Sequence, residues 1–268
     1  MNRTYKSLTI CGALLAATGF KSEAANASVT HVYGLSGLSN TVTLYDADTL
    51  KPFGKAAPSN GWFNYDLAFD NTGRLFGTGH LNGGDALLEY DPATGAVINS
   101  AAITGDISTM AARNGILYSL TGLSNTVVMY DADTLKPIGR PALSNVWGHY
   151  DLTFDNAGRL FGAGYLNGRD ALLEYDPATG AVINSSTITG NIITVAARDG
   201  ILYSLTGLSN TVVMYDADTL KPIGRPALSN VWGHYDLAFD NTGRLFGTGF
   251  LNGRDALLEF DPATGAVI

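Results

Sequence analysis

After residue 30 the apolar residues fall in short β-prone runs divided by polar turn clusters, and no stretch keeps a helical period. Tyr150-Asp151-Leu152-Thr153-Phe154 is such a run. It stops at Asp155-Asn156-Ala157-Gly158, where Asp and Asn bond their own backbone and Gly accepts a positive φ. Arg159 to Tyr165 forms the next strand, and Asn167-Gly168 is a strong hairpin signal. Asp170 to Tyr175 is the third strand, closed by Asp176-Pro177-Ala178-Thr179-Gly180, and Ala181 to Ser186 begins a fourth. A companion unit repeats the plan with Ile201 to Leu205 and Thr211 to Tyr215. The apolar residues do not alternate cleanly with polar ones, as expected for sheets covered on both faces.

The pattern is periodic. Gly37-Leu38-Ser39-Asn40-Thr41 returns as Gly122 to Thr126 and as Gly207 to Thr211, an interval of 85 residues. Each block is itself double, punctuated alternately by Asp-Ala-Asp-Thr (Asp46, Asp131, Asp216) and Asp-Pro-Ala-Thr-Gly (Asp91, Asp176, Asp261). Units of about 40 residues holding four short strands predict an all-β propeller of four-stranded blades. Six blades are recognisable, with the first and last incomplete. The first unit opens at His31-Val32-Tyr33-Gly34, the equivalent of a second strand, and the last stops at Ala266-Val267-Ile268. The ring is therefore expected not to close, as in a truncated chain. Residues 116–183 and 201–268 differ at five positions, so recurrence here reflects copying as much as selection. Gly162, Gly164, Gly247 and Gly249 fall on second strands, where neighbouring blades are expected to crowd.

Composition adds a compartment. Arg3 and Lys6, the apolar stretch Leu8 to Phe20 and the small residues Ala25-Asn26-Ala27 read as a secretory signal over 1–27, leaving a propeller over 28–268. Location is then expected to be secreted, periplasmic or cell-surface. The single cysteine, Cys11, lies inside that leader, so a mature chain would hold neither disulfide nor thiol nucleophile. The net charge is −8, which disfavours nucleic acid as a partner, and no later segment looks membrane-spanning.

Asn125-Thr126-Val127 with Tyr130-Asp131-Ala132-Asp133-Thr134 resembles the YVTN-type surface-protein propellers. The Asp-Pro-Ala-Thr-Gly turn is similar to quinoprotein-like repeats, and Asp70-Asn71-Thr72-Gly73-Arg74-Leu75-Phe76-Gly77 resembles gluconolactonase-like and NHL-type propellers. These resemblances imply a propeller over about 31–268. They do not fix an activity, because the superfold carries hydrolases, lyases, dehydrogenases and binding modules.

One constellation recurs only in alternate blades, at the rim of the innermost strand: Trp62, Asn64 and Asp66; Trp147, His149 and Asp151; Trp232, His234 and Asp236. The aligned positions of the other blades are the neutral Thr109 and Thr194. Three carboxylates converging on one axis would repel unless a cation or a hydrogen-bond network offsets them. Asp66, Asp151 and Asp236 are thus candidate metal ligands, with Ca2+ the best-suited cation and zinc admitted if the histidines join. Equally, Trp can pack between blades while Asp accepts backbone amides. No Gly-x-Ser-x-Gly elbow, Gly-x-x-x-x-Gly-Lys loop or His-Glu-x-x-His helix is present. Two functional readings follow. One is an exported binding or scaffold module for a protein, peptide or glycan. The other is a calcium-type hydrolase or lyase of the gluconolactonase-like kind.

Overall fold

The computed structural model describes residues 14–18, 30–36, 41–58, 62–104, 107–121, 126–143, 147–190, 192–206, 211–228, 232–240, 242–251 and 254–268. The recurring Gly-Leu-Ser-Asn segments and the Asn252-Gly253 hairpin lie outside them. In five of the six sheets four antiparallel strands follow one another, from the inside of the ring outward. The first sheet holds β1 (Leu14–Thr18), β2 (Thr30–Ser36), β3 (Thr41–Asp46) and β4 (Pro52–Pro58). The second holds β5 (Trp62–Phe69), β6 (Leu75–Leu81), β7 (Gly84–Tyr90) and β8 (Val97–Ala102). The third holds β9 (Ile107–Arg113), β10 (Ile116–Thr121), β11 (Thr126–Asp131) and β12 (Pro137–Leu143). The fourth is β13 (Trp147–Phe154), β14 (Leu160–Leu166), β15 (Arg169–Tyr175) and β16 (Val182–Thr187). The fifth is β17 (Ile192–Arg198), β18 (Ile201–Thr206), β19 (Thr211–Asp216) and β20 (Pro222–Leu228). The last has three strands, β21 (Trp232–Phe239), β22 (Leu245–Leu251) and β23 (Arg254–Phe260).

The chain thus folds as a β-propeller of small antiparallel blades. Five of them are complete four-stranded sheets, not six recognisable blades with both end blades incomplete. The first blade is the correction. Its inner position is taken by β1, which pairs with β2 from Leu14↔Gly34 to Thr18↔Thr30. The third blade shows the same register, Met110↔Ser119 to Arg113↔Ile116. A short apolar run of a leader and a short apolar inner strand carry the same sequence signal, which is why the pattern alone did not place a strand there. The last blade is short of a full fourth strand, as expected; only Val267 bridges back, to Phe260.

The ring also closes, against expectation. Apolar clusters sit at every joint between neighbouring blades. Phe76 and Leu87 meet Met110 and Leu117 between the second and third, and Phe161 and Leu172 meet Val195 and Leu202 between the fourth and fifth. Phe246 of the last blade meets Val32 and Ala47 of the first. No blade can hide its two apolar faces alone, so stacking around an axis is what removes them from water.

Polar links follow the apolar ones. Arg74 Nε donates to Glu89 of its own blade at 2.8 Å, Nη1 reaches Asp133 of the next blade at 2.7 Å, and Nη2 donates to the Ala132 carbonyl at 3.0 Å. Arg159 repeats this with Glu174, Asp218 and Ala217, and Arg244 repeats it with Glu259, Asp48 and Ala47, across the joint that closes the ring. Each guanidinium also lies over a Phe ring of its own blade, Phe76, Phe161 or Phe246. At the alternate joints, Tyr33, Tyr118 and Tyr203 stand edge-on to Phe69, Phe154 and Phe239.

Gly162 and Gly247 are needed for a different reason from the one expected. A Cβ on Gly162 would meet the Asp151 carbonyl oxygen at 2.9 Å and the Tyr175 ring at 3.0 Å, both in its own sheet. The large buried Tyr of the third strand, rather than the neighbouring blade, fills that space.

Candidate functional site: the channel rim

Each candidate Asp sits just past a break in strand register. Trp62 pairs with His80 and Asp66 with Thr78, so three residues of β5 face one of β6; the same irregularity falls between Trp147 and Asp151 and between Trp232 and Asp236. A bulge of this kind re-aims side chains at the rim. It turns the three carboxylates inward, where all are buried, toward a central cavity of about 200 Å³. Inner-strand segments 66–69, 110–112, 151–154, 195–197 and 236–239 line that cavity. The side chains of Trp62, Asn64, Trp147, His149, Trp232 and His234 lie outside the described residues; their backbone opens the same inner strands.

The carboxylates are held by the protein itself. Asp66 Oδ1 accepts the Leu67 amide at 2.7 Å, and Oδ2 accepts the Met110 amide at 2.6 Å and the Thr109 hydroxyl at 2.8 Å. Asp151 has the matching set: Leu152 N, Val195 N and the Thr194 hydroxyl. Asp236 Oδ1 accepts the Leu237 amide at 2.7 Å and lies 3.3 Å from the Thr194 hydroxyl, which also accepts from Leu237 N at 3.2 Å. Asp66, Thr109, Asp151, Thr194 and Asp236 therefore form an arc of alternating carboxylate and hydroxyl. The two threonines, read from sequence as merely neutral, are the missing partners; their only visible sign was their alignment with the Asp positions.

Burial governs the protonation of this arc. It pushes the Asp66 carboxyl up to about 8, with the neighbouring Asp151 charge adding to the rise and the Met110, Thr109 and Leu67 donors opposing it. Burial likewise raises Asp151 to about 6, opposed first by the Thr194 hydroxyl. At neutral pH the arc retains protons on part of its carboxyl oxygens, which relieves the repulsion that a cation was expected to offset. Among the described residues no group of three His, Cys, Asp or Glu is arranged to hold a metal ion. The geometry brings the three Asp residues onto one rim, as the sequence suggested, with their oxygens directed at amides and hydroxyls.

The other turn motifs are structural. Asp70 Oδ1 accepts Thr72 N, the Thr72 hydroxyl and Arg74 N, which closes its turn. Asn82-Gly83 and Asn167-Gly168 take positive φ at both residues, the hairpin conformation. Arg169 and Arg254 are exposed, and His80 pairs with Asp85 across its hairpin at 2.9 Å.

No protein-family model matches the chain, and no curated protein matches it by sequence. Solved structures do match by fold. The chain is similar to Kuenenia stuttgartiensis hydrazine synthase at a TM-score of 0.65 and 11% identity, over 97% of this chain and 98% of that one. It is similar to the β-propeller domain of Myceliophteria thermophila Cps50 (Swd1) at a TM-score of 0.60 and 12% identity, over 89% and 81%. The WD40 β-propeller domain of Doa1 follows with a TM-score of 0.55 and 14% identity, over 89% and 77%. At such identities the likeness establishes the propeller fold and nothing of the chemistry. No helix among the described residues is long and apolar enough to cross a membrane.

Proposed function

We propose that this propeller is an exported binding or scaffold module whose rim and loops engage a protein, peptide or glycan. The observation that carries the reading is the engagement of the rim carboxylates. Asp66 and Asp151 each accept two amides and a threonine hydroxyl, and a resident cation would have to displace them. A calcium-type hydrolase or lyase needs oxygen ligands turned toward the ion and an open position for substrate. The cavity supports the same reading. Its volume of about 200 Å³ is smaller than the pockets that enclose small-molecule ligands, so contact falls to the rim. Trp62, Trp147 and Trp232 open three alternate inner strands there, and aromatic side chains are the commonest anchors of such contacts. Three near-copies on one rim suit a partner that presents the same group repeatedly.

Export rests on the composition of residues 1–27. A leader cleaved after Ala27 would carry β1 away with it, so the mass of the secreted chain tests export and the make-up of the first blade together. Binding is tested by screening the folded chain on peptide and glycan arrays and repeating the hits with Trp147→Ala and Trp232→Ala. Loss of the hits in the variants, with melting unchanged, is the expected result. Hits indifferent to both substitutions would move the contact away from this rim and overturn the reading.

A further inference from the structure

The outer edges of the complete blades are of two kinds. In the first, third and fifth blades the outer strand is guarded: β4 holds Pro52, Lys55 and Pro58, while β12 and β20 open on Pro137 and Pro222 and carry Pro141 and Pro226 beside Arg140 and Arg225. Proline has no N–H to offer another strand, and a cation on an edge resists burial against a second sheet. The register also slips between Val127 and Met129 and between Val212 and Met214, with Gly139 and Gly224 at φ 70° in the slipped stretch. Such bulges turn an edge away from would-be partners.

The second and fourth blades end on bare strands. Neither proline nor charge occurs in residues 93–105 around β8 or in residues 178–197 around β16. Their one register slip comes early, at Ile98 or Ile183, and pairing is regular from Asn99 to Ala102 and from Asn184 to Thr187. Ile103 N donates to the Asp85 carbonyl at 2.9 Å and Ile188 N to the Asp170 carbonyl at 2.8 Å, which fixes the groups that face inward. By alternation the backbone groups of Ser100, Ala102, Ser185 and Thr187 face away from the blade. Among the described residues no strand pairs with either edge. Ile98 and Ile183 stand on these strands 61% exposed. The edges are also held in place, since the Asn99 and Asn184 amides donate to the Asp133 and Asp218 carbonyls of the next blade at 3.4 and 3.0 Å.

Each bare edge is its own complement. Set antiparallel against the same edge of a second copy, with Ser185 opposite Ser185, it brings Ile183 to Thr187, and all of these residues share one face and outward backbone groups. Ser100 opposite Ser100 brings Ile98 to Ala102 in the same way. Charge selects the occupant. At a net charge of −8, copies of the chain repel one another over most approaches, and the uncharged edges are where two can meet without like charges in contact. A charged partner would find nothing to pair with there.

We infer that the outer edges of β8 and β16 are strand-addition edges for the same edges of a second copy of this chain, joining two blades into one continuous sheet. Backbone hydrogen bonds supply the attachment, and covering Ile98 and Ile183 adds to it. With two such edges per molecule the contact does not close, so copies add in a row as concentration rises. A contact one strand long is small beside a stable interface, and the association is correspondingly weak.

The test is analytical ultracentrifugation of the full chain over roughly the micromolar-to-millimolar range. It is run beside the double variant Ser100→Lys with Ser185→Lys, which gives both edges the kind of guard that β4 has in Lys55. Both serines are exposed, and equal melting temperatures at low concentration check that the variant folds. The wild-type average mass should rise with concentration, and the lysine variant should need roughly tenfold or more protein to reach the same mass. The neutral pair Ser100→Thr with Ser185→Thr should associate as the wild type does. Hydrogen exchange of the concentrated wild type should show new protection at residues 98–102 and 183–187. A wild type that stays monomeric throughout, association indifferent to the lysines, equal loss in the lysine and threonine variants, or new protection elsewhere would each overturn the proposal.

Discussion

Thr194 is the residue on which the rim arc turns, and replacing it with Val tests the arc with little change of shape. Thr194 is 1% exposed, and its hydroxyl donates to Asp151, lies 3.3 Å from Asp236 and accepts from Leu237 N. Val fills the same volume and removes all three contacts. Asp151 Oδ2 keeps the Val195 amide, so the net loss is that of one hydrogen bond to a carboxylate, about 2 kcal/mol. For a chain of this size that corresponds to a melting temperature lower by roughly 4–8 °C. The loss should depend on pH. Thr194 stabilises the charged form of Asp151, so without it the folded-state carboxyl rises further above the unfolded value of 3.8. The charged form is then more costly to bury, and the variant should be hurt more at pH 8.5 than at pH 4.5. Thermal and urea melts followed by circular dichroism at both pH values measure the effect, with Thr194→Ser as the variant that restores the hydroxyl. Equal destabilisation at the two pH values, or no rescue by Ser, would refute the account of the arc.

Three further outcomes are expected. Because Asp66 is raised to about 8 from 3.8, the folded state holds the extra proton between those values; its contribution is complete below pH 4 and lost as pH rises through 8, so the melting temperature should be higher at pH 5 than at pH 8.5, and Asp66→Asn should flatten that slope. Gly162→Ala should destabilise by about 1–3 kcal/mol in a denaturant melt because its Cβ strikes the Asp151 carbonyl and the Tyr175 ring, whereas Gly84→Ala, which faces open space, should be neutral. Arg244→Leu and Arg159→Leu should lower the melting temperature by similar amounts, on the order of 1 kcal/mol each after allowing for their partial exposure; a silent Arg244 variant would mean that the last and first blades do not grip one another.

Strands, hairpins and the period were legible because they are local. Asn167-Gly168 needs two positive φ values and receives them, and the run from Asp170 to Tyr175 is a strand in fact as in pattern. What the sequence hid is which distant residues meet. Thr109 lies 43 residues from Asp66, and Arg244 finds Asp48 across 196 residues, so neither contact leaves a spacing signature. Leu14 to Thr18 shows a second limit: five apolar or small residues suit an inner strand as well as a leader core, and the pattern alone gave no reason to pair them with β2. The copying of blocks repeats the Asp in three blades with or without a ligand role. The fold lines all three along one cavity, where their oxygens meet amides and threonine hydroxyls.

Whether the rim carboxylates are struts or ligands is decided by calorimetric titration of chelator-treated protein with calcium and with zinc at pH 7. The account predicts no saturable heat and no change in melting temperature with either cation. Stoichiometric binding that raises the melting temperature and disappears in Asp151→Asn would contradict it.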